Sequence, residues 1–189
     1  MNALGELPKS LIINGKPYRI RTNCKDIFRI IEAFLDPELK EEEKQFICLY
    51  ILYVDFKQIP DSDLNEAFLK AIEFLNYGEK PDENQKSNLK IMDWVQDEQM
   101  LFAAVNVKAG GETRLMPYVH WWTFYGWLMN LDEGIYKLVL SLRLKKSKGK
   151  KLEKSEREFW NANRDICVIK ERLSAEEQAD IDRLNAEFS

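Results

Sequence analysis

The eleven residues Tyr118–Leu128 (YVHWWTFYGWL) hold six aromatic side chains and the only histidine of the chain, and few folds can accommodate them. They follow Pro117, a residue suited to the first position of a helix, and run toward Asp132, enough for about four turns. At helical spacing Trp121, Phe124, Tyr125 and Leu128 share one face, while His120, Phe124, Trp127 and Leu131 share the neighbouring one. A helix apolar on nearly all sides is unsuited to the surface of a lone monomer. It is either the central helix of a bundle or a helix whose outer side meets a partner.

The remaining sequence favours helices. A hairpin comes first: Leu11, Ile12 and Ile13 precede Asn14-Gly15, a dipeptide that tolerates the positive φ of a tight turn, and Tyr18, Ile20 and Thr22 then alternate with arginines. Helices are expected over 25–35 with Asn23 as N-cap, over 38–54 after the break at Asp36-Pro37, and over 61–76 with Gly78 as the stop. Another runs from about Met92 to Val107, with Trp94, Leu101 and Val105 facing in and Ala109-Gly110-Gly111 ending it. Asp132 is placed to cap a helix over 133–146, and Ser155/Glu158 and Ser174/Glu177 have capping-box spacing. The expected fold is mainly α, a bundle of about seven or eight helices with a small N-terminal β-hairpin.

With 189 residues, 45% of them hydrophobic, one domain over 1–189 is expected. Its natural subdivision is into lobes 1–78 and 91–172, separated by the polar linker 79–90 and followed by an acidic helix over 173–189. The net charge of −4 gives no general attraction to nucleic acid. Three cysteines at wide spacing suggest neither a disulfide framework nor a zinc site. The first residues lack a basic stretch followed by an apolar run, and the longest apolar runs fall short of the roughly 20 residues that cross a bilayer. A cytoplasmic protein with no membrane contact is expected.

The candidate chemistry is sparse. His120 has no second histidine or cysteine pair, so a packed ring is favoured over catalysis. Asp93 and Asp97 share a helix face and could hold a cation, but acids in a first helical turn more often serve the backbone amides. No phosphate loop, nucleophile elbow or zinc helix is present, so neither catalysis nor a cofactor is expected. Arg143, Lys145, Lys146, Lys148, Lys150, Lys151 and Lys154 face only Glu153, a net +6 within 143–154. A solvated loop is favoured there, ahead of an acidic protein surface and then nucleic acid, because no aromatic interleaves the cations. The C-terminal stretch holds five acids against Arg183, a net −4, with a thin stripe of Ile181, Leu184 and Phe188 able to pack on the body or meet a partner. Attraction to the basic loop is another option open to it.

Several segments carry a resemblance. HWWTF (His120–Phe124), DWVQDEQMLFAAV (Asp93–Val105), Leu7-Pro8, the INGKPYRI hairpin and FLNYG (Phe74–Gly78) make the chain similar to the bacteriophage gene-product-fifteen family of long-tailed phages and Gram-positive prophages. The likeness spans roughly 7–172. It departs at VKAGGETRLMPYV and SLRLKKSKG, where the family has Tyr-Gly-Ile-Asp-Leu and often Tyr-Arg-Thr, so the basic loop and acidic tail are read as features of this member. The family's gene usually lies between those for the major tail protein and the tape-measure protein. The resemblance therefore implies a non-enzymatic tail-assembly chaperone holding the tape measure, with Trp121, Trp122, Phe124, Tyr125 and Trp127 lining its groove. The alternative is that all five rings are core. Other phage tail proteins and a second copy of the chain are further expected partners. A structural tail component and a nucleic-acid-binding regulator using 143–154 are the alternative functions.

Overall fold

The computed structural model describes residues 4–80 and 91–187; most of the expected linker 79–90, and Phe188, lie outside them. Nine α-helices and one two-stranded sheet occur among the described residues. The expected mainly-α architecture with an N-terminal hairpin is the one observed. Strands β1 (Ser10–Ile13) and β2 (Lys16–Arg19) pair antiparallel, with Leu11 opposite Tyr18. Asn14 and Gly15 have φ of 45° and 76°, the left-handed pair a two-residue turn needs. A two-stranded hairpin is marginal alone. Here Ile13 and Tyr18 are buried, and the chain continues along the end of the helix Glu41–Leu52, where the Arg21 N–H donates to the Leu52 carbonyl at 2.8 Å.

Helices α1 (Cys24–Leu35), α2 (Glu41–Leu52) and α3 (Leu64–Leu75) follow. Asn23 caps α1, its side chain accepting the Lys25 N–H at 3.3 Å. Helix α3 starts later than Pro60-Asp61 suggests, because 61–63 form a 3₁₀ turn first. It ends where the Gly78 N–H reaches back to the Glu73 carbonyl at 2.8 Å. Gly78 is required twice: φ is 89°, and a Cβ there would stand 3.3 Å from the Trp122 ring.

The second half comprises α4 (Glu98–Ala109), α5 (Trp121–Met129), α6 (Ile135–Ser147), α7 (Lys154–Ala162), α8 (Arg164–Cys167) and α9 (Ala175–Glu187). Gly110 ends α4 in the left-handed region, as its sequence suggests. Four expected starts move. Helix α4 begins at Glu98, past Met92, because 94–97 form a turn held by the Asp93 side chain. Pro117 lies outside α5, whose N-cap is His120. Asp132 pairs with Lys108 instead of capping α6, whose N-cap is Gly134. The capping box of α7 is Glu153/Glu156, not Ser155/Glu158. The Ser174/Glu177 box forms as its spacing indicates, with both reciprocal bonds in place. The extra helix is α8, a single turn that the sequence pattern merges with its neighbours.

One core cluster draws on both halves, joining Phe74 and Leu75 to Leu101, Trp121 and Phe124; a smaller one comprises Val139, Leu142, Trp160 and Cys167. Helix α5 is the seam between halves. Its Trp121 and Trp122 indoles donate to the carbonyls of Leu75 and Phe74, each at 2.9 Å, and its first backbone N–H donates to Thr22 at 2.7 Å. All three cysteines are free and buried, and burial pushes Cys24 and Cys48 up to about 11 and about 12.

His120 closes this seam. Its Nδ1 accepts the Trp122 N–H at 3.1 Å, and Nε2 donates to the Pro8 carbonyl at 3.0 Å, so both nitrogens are committed to one neutral tautomer. A proton on Nδ1 would break the cap and place a cation at a helix N-terminus. Burial holds the ring below the usual imidazole range, against the opposing pull of the Pro8 carbonyl. A group harder to protonate when folded leaves stability intact above its unfolded value, about 6.5, and loses it as pH falls below that. Denaturant unfolding should therefore show stability falling across the window that opens below about pH 6.5. His120→Asn, which keeps a capping acceptor, should be less stable overall but lack that slope. A wild-type curve flat through the window would contradict the neutral ring.

Candidate protein-binding surface

The five rings expected to line a partner groove divide into two groups. Trp121 and Phe124 are 2% and 0% exposed and stack 6.1 Å apart, with Phe28 of α1 edge-on to both. They cannot reach another molecule while the fold holds. Trp122, Tyr125 and Trp127 are half-buried; Trp122 packs on Phe74 and Tyr77, and Tyr125 stacks on Tyr77 at 5.5 Å. The aromatic excess thus serves a central helix, the first of the two options that its pattern allows.

The exposed apolar surface lies one helix away. Met100, Ala103, Ala104 and Val107 of α4 face Gly134, Ile135 and Tyr136 across a groove of about 300 Å³. The two alanines leave the groove open; larger side chains would fill it. Val107 and Ile135 are 69% and 61% exposed. Ion pairs Lys108–Asp132 and Lys137–Glu133 stand on its margins. An apolar floor with a charged rim is the anatomy of a protein interface. Sequence reasoning missed this face, although 100, 103, 104 and 107 have the i, i+3, i+4, i+7 spacing of a helical stripe. The stronger apolar signal, Leu101 and Val105, belongs to the opposite side of α4, which is buried. A second exposed apolar patch is the trio Phe46, Tyr50 and Phe56, the first two stacked at 5.9 Å.

Ile181 and Leu184 of α9 are exposed. Arg143 is not part of a basic surface. It is buried, and its fork uses all five N–H donors: two on Asp97 at 2.6 and 2.8 Å, and one each on the carbonyls of Cys167, Ile91 and Ile166. Lys145 pairs with Glu156, and Lys146 lies over the Trp160 ring. Lys148, Lys150, Lys151 and Lys154 are exposed. Asp93 accepts the Val95 and Gln96 N–H groups and pairs with Arg172. Both aspartates are therefore structural anchors. As expected, both serve nearby amides, Asp93 those of Val95 and Gln96 and Asp97 that of Asp93, and the cation each holds is an arginine.

A family model described as Bacteriophage Gp15 protein matches residues 4–167. The chain belongs to the bacteriophage Gp15 family. No curated protein and no solved structure matches it. The Gp15 match takes in the hairpin, the groove and the Arg143 fork, and it stops at Cys167, ahead of α9. Among the described residues no helix is long and apolar enough to cross a membrane.

The ion pair makes a stability prediction. Arg143→Met leaves the Asp97 carboxylate buried without its cation and should cost about 3–5 kcal/mol in denaturant unfolding. Adding Asp97→Asn removes the stranded charge and should recover part of that loss. A single variant within about 1 kcal/mol of wild type would show that the pair is not what holds α4 to α6.

Proposed function

We propose that this Gp15 protein is a non-enzymatic tail-assembly factor of the phage-infected cytoplasm. On this reading it holds a helical segment of the tape-measure protein in the groove between α4 and α6. The observation that carries the reading is that groove: solvent-facing, floored by small and apolar residues, and rimmed by charge. The family resemblance, which sets such genes beside the tape-measure gene, supplies the client.

A long helical client exposes apolar stripes until tube subunits enclose it, and stripes of that kind aggregate. A helix laid across the groove would cover such a stripe through anchors at i, i+3, i+4 and i+7. The groove is short, so each copy holds its client weakly and tube protein can displace it. Many copies on one client still coat it through avidity. The half-buried Trp122, Tyr125 and Trp127 support the core beneath, and the Phe46–Tyr50–Phe56 trio is a second place for tail proteins to contact.

Co-expression with the tape-measure protein is the test. Wild-type protein should keep the client in the soluble fraction. Val107→Asp with Ile135→Asp places carboxylates in the apolar contact and should weaken capture at least about tenfold, returning the client to the pellet. Both positions are exposed, so the variant should fold normally. Undiminished client solubility with this variant would overturn the assignment of the groove.

A further inference from the structure

The end of α6 away from the apolar groove, together with the following loop and α7, encloses a second concavity of about 570 Å³. Lys146, Lys150, Lys151, Arg157 and Arg164 stand around it, all exposed, over an apolar floor of Leu152 and Trp160. Of the acids on α7 and α8, Glu156 pairs with Lys145 and Glu153 caps α7, while Glu158 and Asp165 are exposed and do not line the concavity. Among the described residues none of the five cations has an ion-pair partner. Five like charges gathered on one concave wall repel one another unless an anion joins them.

The chain carries a matching anion. Every residue of the 13-residue helix α9 from 175 to 186 is exposed, so none of these side chains is buried against the rest of the chain. A helix of that length is marginal in water without a surface to lie on. Glu176 and Asp180 sit four apart on one edge, beside the exposed Ile181 and Leu184; Asp180 also meets Arg183 of its own helix in a solvent-exposed pair at 2.8 Å, which solvent screens and a basic wall can displace. An acidic edge next to an apolar stripe complements a basic wall above an apolar floor. Within the chain, the first α9 amide, Ala175, is bonded to Glu38 at 2.6 Å, which anchors the helix at the α1–α2 connection and not at α6 or α7. We infer that the concavity of one copy receives α9 of a second copy, an association driven by charge. Donor and acceptor are different surfaces, so the contact builds either a reciprocal pair or a head-to-tail array.

Sedimentation velocity of the full chain tests this, from micromolar to hundreds of micromolar, at roughly 50 mM and 500 mM salt. Association at low salt that weakens at least about tenfold at high salt is expected. Lys150→Glu with Lys151→Glu should abolish it, as should Glu176→Lys with Asp180→Lys. All four changes in one chain should restore it, with circular dichroism confirming a wild-type fold throughout. A monomer under every condition would overturn the inference, as would association indifferent to both charge reversals. So would a chain that stays monomeric while its concavity binds a labelled single-stranded oligonucleotide.

Discussion

The contact on which the second half depends is the Asp97–Arg143 fork. Asp97 precedes the first turn of α4, and Arg143 lies past the middle of α6; two charge-assisted bonds lock these helices at one offset. The remaining donors of Arg143 take carbonyls at Ile91, Ile166 and Cys167, so a single guanidinium also secures the chain entering α4 and the turn of α8. Burying two charges gains little net stability over well-packed apolar residues. What the fork adds is geometry. Only one arrangement of α4, α6 and α8 satisfies every donor, and that arrangement sets the width of the apolar groove.

The fold was largely legible because its signals are local. The Asn14-Gly15 turn, the Asn23 cap, the Gly110 stop and the Ser174/Glu177 box depend on residues a few positions apart, and each appears where its chemistry puts it. The errors came from longer-range competition. Asp132 was free to cap α6 only if Lys108 did not claim it, and Pro117 could open α5 only if His120 were not better held by Pro8 and Trp122. Arg143 looked like the first of a basic run. Nothing nearby in sequence reveals that Asp97, 46 positions earlier, removes it from solvent.

The site was less legible than the fold. Aromatic richness drew attention to α5, yet rings that large are best used where they can be enclosed on several sides. The apolar groove is built from smaller residues, Ala103, Ala104 and Val107, and it exists only because the 132–137 segment lies opposite. Helix α6 separates two chemistries: its first turn walls an apolar groove, and its last turn begins a cationic basin. One rigid rod thus presents two surfaces of opposite preference.

The three enclosed thiols have a practical corollary. Cys24 and Cys48 are kept protonated and out of contact with water, so alkylating reagents meet them only when the protein opens. Their modification rate is a built-in clock for opening. A reporter cysteine introduced on either wall of α6 would take up label almost alone, so groove and basin can each be watched without stripping the native sulfur from the chain.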